Sequence, residues 1–214
     1  MGPTSEPVQA LIFDFDGVIV DSERVEADLI IDAVARWGTA VAYEDFGHLF
    51  GSVDAEGEWD QLVGRWCGRT AAQLDQEIRP AASSMKDVLP LMPGVRELLG
   101  MARLRSIRLG LGTGNTLANL ERRLGRLGVF DWFHAIVTRD EVAQGKPAPD
   151  IFFEVAARLG VPPGACLVLE DSVPGCQGAI AAGMRVIACP TVVTAHCEFP
   201  SGIEIVGSLL QVSL

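Results

Sequence analysis

The apolar positions of this chain fall into short continuous runs and longer segments with helical spacing. The first run, residues 8–13, ends abruptly in Asp14, Asp16 and Gly17 and reads as a buried strand. Residues 22–37 follow with Val25, Leu29, Ile30, Ala33 and Val34 on one helical face, Ser22 as N-cap and Glu23 in the first turn. Residues 39–89 show helical spacing around Leu74 and Ile78 and carry Trp59 and Trp66, with no clear β-run. Two prolines and a glycine at 90–94 mark a boundary. A β-α rhythm then begins. It predicts helices over 95–104, 117–127, 150–159 and 174–182, with Gly128 and Gly160 as stops, and strands over 107–112, 135–138, 165–169, 185–188 and, weakly, 203–206. Strands alternating with helices imply an α/β fold with a doubly wound, mainly parallel sheet. The expected core is residues 1–21 and 89–214, interrupted by a small helical insertion at 22–88. No internal repeat or low-complexity tract occurs.

Composition narrows the functional classes. A net charge of −11 excludes a basic stripe for nucleic acid. No apolar run approaches the ~18 residues of a membrane span, and the first seven residues lack the basic and apolar regions of a secretory signal. A cytoplasmic protein is therefore expected. The five cysteines are odd in number and widely spaced, without CxxC, and suit free thiols in a reducing compartment. The three histidines are far apart, and His48 reads as a surface loop residue. Lysine is scarce, at Lys86 and Lys146 only. Assembly is expected to stop at a monomer or weak homodimer.

Four polar groups follow strands, so the predicted topology gathers them at one sheet edge. Asp14 and Asp16 lie two apart and emerge on the same side of an extended segment. Such a pair is costly without a cation or a shared proton. It reads either as a metal-assisted reaction centre or as a polar turn. Thr113, Gly114 and Asn115 follow the second strand and would either bind a ligand or cap the next helix. Lys146 stands before a proline, where a solvated loop lysine is the alternative. Glu170 and Asp171 follow the strand at 165–169 and could instead cap the helix after them. As a set, acids, hydroxyl and lysine suit phosphoryl transfer, in which carboxylates hold Mg²⁺ and donors take the phosphoryl oxygens.

The set resembles the haloacid dehalogenase superfamily. The matching stretches are DFDGVIVDSE, a Thr at the end of the second strand, GKPAPD, and LEDSVPGCQGAIAAGM. The insertion after the first motif lies where the β-phosphoglucomutase-like and phosphoglycolate phosphatase-like branch carries a helical cap. This resemblance implies a Mg²⁺-dependent phosphatase acting on a small phosphorylated metabolite, a sugar phosphate or phosphoglycolate. Asp14 would be the nucleophile that forms an aspartyl phosphate, and Asp16 the general acid and base. Asp14, the main-chain carbonyl of Asp16, and Asp171 would hold Mg²⁺, with Glu170 a ligand or beside one. Thr113 and Lys146 would bind the phosphoryl oxygens. Gly51 and Ser52 in the cap loop, with Gly114 and Asn115, are the expected substrate contacts, and Trp59 is a further position facing the site. The cap would move on hinges near 21–22 and 90–94.

Sugar-phosphate mutases are the alternative within the branch. They usually carry a His after the first motif and a basic residue in the cap loop for a second phosphate. The corresponding places here are Glu26 and Asp54, although Arg65 or Arg69 could substitute from a helix. A non-enzymatic aspartyl-phosphate acceptor is more distant, because it lacks both the insertion and an acid at position 16. Gly110-Leu-Gly112-Thr-Gly114 departs from a dinucleotide fingerprint at position 115 and lies on a later strand, so it reads as a tight turn.

Overall fold

The computed structural model describes residues 7–52 and 56–214. Six strands form one sheet: β1 (Ala10–Phe13), β2 (Arg108–Thr113), β3 (Ala135–Thr138), β4 (Cys166–Glu170), β5 (Arg185–Ala188) and β6 (Glu204–Ile205). Their spatial order is β3-β2-β1-β4-β5-β6, and every pairing is parallel. β1 is central because all four of its residues are fully buried and no polar side chain would face solvent at an edge. Its side chains alternate between two cores. Leu11 and Phe13 join the layer of α5 (Val95–Leu104) and α6 (Leu117–Leu127), while Ala10 and Ile12 join that of α7 (Asp150–Leu159) and α8 (Val173–Ala181). Leu11, Ile12 and Phe13 each contribute about 1.5–3 kcal/mol by burial, so both faces of the strand hold its register.

The helices at 95–104, 117–127 and 150–159 and the strands at 135–138 and 185–188 have the expected ends. The other strands and α8 differ by one or two residues; β1, for example, begins at Ala10, after the polar Gln9. Gly110 and Gly112 serve packing. A Cβ there would meet Val155 at 2.5 Å and Ile151 at 2.7 Å, so bare backbone lets α7 lie against β2.

Between β1 and α5 lie α1 (Ser22–Arg36), α2 (Tyr43–Phe46), α3 (Glu56–Cys67) and α4 (Ala71–Lys86). They have their own hydrophobic cluster, built from Ile30, Val34, Phe46, Val63, Leu74 and Ile78. One residue of the β5–β6 connection, Val193, is fully buried in that cluster. Its neighbour Thr194 donates its hydroxyl to the main-chain oxygen of Asp171 at 2.7 Å. Ser22 is not the N-cap of α1: Asp21 occupies that position without a side-chain cap bond, and the Ser22 hydroxyl turns to Asp16 instead. Likewise Thr116, not Thr113 or Asn115, precedes α6, and Ser172, not Glu170 or Asp171, caps α8 by accepting from the Gly175 N–H.

Candidate active site

The order of strands reverses between β1 and β4, and the carboxyl ends of parallel strands flanking such a point form a crevice. The segment after β1 brings Asp14 and Asp16, the end of β2 brings Thr113, and β4 brings Glu170 and Asp171. The loop before α7 carries Lys146 in from the side. Lys146 is 3% exposed, so it is no solvated loop residue. Its Nζ donates to Asp14 Oδ1 at 2.6 Å and to Glu170 Oε1 at 2.5 Å. Burial pushes the lysine down, but the two carboxylates outweigh it and hold the ammonium well above the usual lysine range. The other Glu170 oxygen accepts from the Asp171 and Ser172 N–H groups and the Ser172 hydroxyl.

Asp171 is fully buried, yet no amide, hydroxyl or cationic group donates to either of its carboxylate oxygens, and the group it meets is another acid, Glu23. Buried acceptors without partners are costly, and one place where such atoms belong is on a cation. Asp14, Glu170 and Asp171 each present an oxygen within 4.8 Å of the others. Oxygen-only donors of this kind fit Mg²⁺. Gly17 makes room for this group. At its φ of +78° a Cβ would fall 1.9 Å from Asp171 Oδ2, so a side chain is excluded by both strain and contact.

Repulsion within the acid cluster appears in its protonation. Burial raises Asp14 to about 7; Lys146 opposes the rise, and the charges of Glu170 and Asp16 add to it. Burial likewise raises Glu23 to about 8, and raises Asp171, with the charge of Glu23 adding to the latter. Raised carboxylates mean that the folded chain holds protons the unfolded chain releases. Their stabilisation is complete below the unfolded values and is lost as pH climbs through about 7 and about 8. In EDTA, the melting temperature is expected to fall between pH 5 and 9, and millimolar Mg²⁺ should restore several degrees at pH 8, on the order of RT ln(1 + [L]/Kd). Melts that rise toward pH 8, or that ignore Mg²⁺, would contradict this account.

Asp16 sits apart from the metal-competent cluster, since its side-chain oxygens are taken. Ser22 Oγ and Arg123 Nη1 (3.4 Å) approach Oδ1, and the Asn115 amide donates to Oδ2. Asn115 thus points to Asp16 through its side chain, while its N–H donates to Thr113 Oγ1 at 3.1 Å. Thr113 and Gly114 line a cleft of about 260 Å³ together with Asp14 and Asp16. The helical insertion lines its other side with Leu49, Phe50, Gly51, Ser52 and Trp59, so Gly51 and Ser52 lie at the same cleft as Asp14 and Asp16. Gly51, at φ +79°, lies so close that a Cβ would be 2.2 Å from Ser172 Oγ. Trp59 lines the cleft, and its ring also packs 5.8 Å from Phe46 in the hydrophobic cluster of the insertion.

The cleft contains residues the sequence reading missed. Glu23 is buried at the first turn of α1, and Lys86 pairs with Glu26 across the opening. Lys86 is one of two lysines in the chain, and that scarcity was its signal. Arg123 lies between Leu120 and Leu124 on the buried face of α6, a charge at an apolar helical position. Asp54 lies outside the described residues. Neither Arg65 nor Arg69 lines the cleft, and the Arg69 guanidinium stacks 4.4 Å over Trp37. His48 is exposed, as expected. Among the described residues no helix is long and apolar enough to cross a membrane.

Comparison with known proteins gives a concordant picture. A family model described as haloacid dehalogenase-like hydrolase matches residues 8–183. Hexitol phosphatase B of Escherichia coli (strain K12) is 31% identical over 195 residues, covering 87% of this chain and 86% of that protein. The bifunctional riboflavin kinase/FMN phosphatase of Arabidopsis thaliana is 29% identical over 205 residues, which are 95% of this chain and 54% of that protein, so the chain spans about half its length. Among solved structures, a mutant of CbbY from Rhodobacter sphaeroides in complex with xylulose-(1,5)bisphosphate is 26% identical, with a TM-score of 0.74 over 95% of this chain and 96% of that one.

Proposed function

The chain belongs to the haloacid dehalogenase-like hydrolases and is a phosphatase of that family, and from this premise we propose that it hydrolyses a small sugar or polyol phosphate, with Mg²⁺, through a phosphoryl group carried on Asp14. The observation that carries the reading is the buried Lys146 bridging Asp14 and Glu170 beside the buried carboxylate of Asp171. Asp14 attacks the phosphorus, and the bond from phosphorus to the ester oxygen breaks. Asp16 gives the leaving alcohol its proton. Water then attacks the aspartyl phosphate, Asp16 takes the water's proton, and phosphate leaves. Lys146 and Thr113 bind the phosphoryl oxygens, with the Gly114 and Asn115 main chain beside them.

Asp14, the Asp16 main-chain carbonyl and Asp171 would hold Mg²⁺. When bound, it supplies positive charge to offset the crowded carboxylates and the phosphoryl oxygens. Glu170 is better read as the residue that ties Lys146 to the start of α8, because both of its oxygens already accept bonds. Residues 22–88 act as the cap over this centre.

The substrate class follows from the cleft. About 260 Å³ suits a small molecule. Its walls combine Trp59 and Phe50 with Glu23, Glu26 and Lys86, groups that can bind hydroxyls. Hydroxyl-binding groups on the wall support polyol and sugar phosphates ahead of phosphoglycolate, which carries no free hydroxyl. The relatives include a hexitol phosphatase and an FMN phosphatase. The free cysteines support a reducing, cytoplasmic compartment.

A panel of hexitol, hexose and pentulose phosphates, FMN and phosphoglycolate, assayed for phosphate release with Mg²⁺, tests the reading. Polyol and sugar phosphates should be turned over fastest, with free alcohol and phosphate as products. Release no faster than by an Asp14→Asn control would sink it.

A further inference from the structure

We propose that Arg123 is a positioning residue for Asp16, a buried cation of the core that fixes the acid–base carboxylate. The proposal rests on the phosphatase reading above. Arg123 is 5% exposed, on the inner face of α6. Its guanidinium lies 4.5 Å over the Phe15 ring, and Nη1 lies 3.4 Å from Asp16 Oδ1. Nε and Nη2 are buried with no partner. Packing alone does not explain a charge here. A buried ion loses several kcal/mol of hydration, and a leucine or methionine between Leu120 and Leu124 would cover Phe15 without that loss.

What the charge adds is its approach to Asp16. The two acids of the first motif are thereby served by different cations. Lys146 holds Asp14 and Glu170, and Arg123 holds Asp16. Asp16 has two other donors, Ser22 and Asn115. Ser22 belongs to α1 of the cap, and Asn115 to a short turn. Arg123 is the one mounted in the middle of a packed core helix, and a side chain locked by such packing holds its partner to a narrow geometry.

Arg123→Met keeps the contact with Phe15 and removes the charge. On the fastest alkyl phosphate of the panel, kcat is expected to fall about ten- to hundredfold, with KM changed less than about threefold and calorimetric Mg²⁺ affinity unchanged. Arg123→Lys should regain most of that loss. If the residue acts through Asp16, the losses are not additive: in an Asp16→Asn background, measured in single turnover with excess enzyme, Arg123→Met should cost less than about twofold. Should the Met variant fail to fold, Arg123→Gln carries the same comparison. A wild-type kcat in the folded variant, or the full loss repeated in the Asp16→Asn background, overturns the role of Arg123 alone. A wild-type chain inactive on the whole panel overturns the phosphatase reading, and this role with it.

Discussion

Asp14→Asn is expected to abolish turnover and to make the metal-free protein more stable. On the mechanism proposed above the change removes the nucleophile, which lowers kcat on the order of 10⁴-fold or more, because an amide cannot form an aspartyl phosphate. The stability change has a separate cause. Burial and the charges of Glu170 and Asp16 disfavour the Asp14 carboxylate more than Lys146 favours it, which is why its pKa is raised to about 7. Above that pH, a neutral residue of the same shape relieves the site. The melting temperature at pH 8 in EDTA should therefore rise, and the gain should disappear at pH 5, where Asp14 is protonated. Phosphate release and paired melts at the two pH values check both halves. A variant that keeps activity would remove Asp14 from the chemistry, and one that melts lower at pH 8 would show that the Lys146 pair outweighs the repulsion.

Lys146→Met is expected to have the opposite effect on stability and a similar one on activity. The lysine lies between two carboxylates, one of them fully buried, and removing it leaves both without a counter-charge. Breaking a buried pair in this way costs about 3–5 kcal/mol. At about 2–4 °C per kcal/mol for a chain of this size, the melting temperature should fall by at least ~6 °C at pH 8. The deficit should narrow at pH 5.5, as the carboxylates take up protons. A methionine of similar length keeps the packing over Phe152, where the ammonium lies 5.5 Å from the ring centre, so lost volume does not confuse the comparison. An unchanged melt at pH 8 would mean that the acids already carry protons there.

The parts of this site that were legible in the sequence are those set by local patterning. Apolar runs place strands, and acids, a threonine and a lysine just beyond them mark the sheet edge, so Asp14, Asp16, Thr113, Lys146, Glu170 and Asp171 were identifiable before any coordinates. Helix ends were legible where a glycine stops them, as at Gly128 and Gly160, both in the left-handed conformation. Local rules failed where a distant partner outbid them. Ser22 has the composition of an N-cap, but Asp16 takes its hydroxyl. Glu23 does stand in the first helical turn, as its type suits, but nothing local signals that this turn is buried against the acid cluster. Arg123 meets Asp16 across 107 residues and Lys86 meets Glu26 across 60, and no periodicity encodes such meetings. The helical insertion was the least legible region, because a set of helices with one shared apolar cluster can pack in several ways that the spacing alone does not distinguish.

Val193 bears on how this molecule could be recombined with its relatives. The insertion leaves the core at two places in the chain, so exchanging residues 22–88 looks like a two-cut graft. The hydrophobic interior of those helices, however, includes a residue of the β5–β6 connection, whose neighbour holds the main chain of Asp171. A transplanted set of helices would arrive with a vacant socket, and the host would keep a valine with nowhere to go. The transferable unit therefore has two segments, and chimeras that carry residues 190–198 along with the helices are the ones expected to keep the surroundings of Asp171 intact.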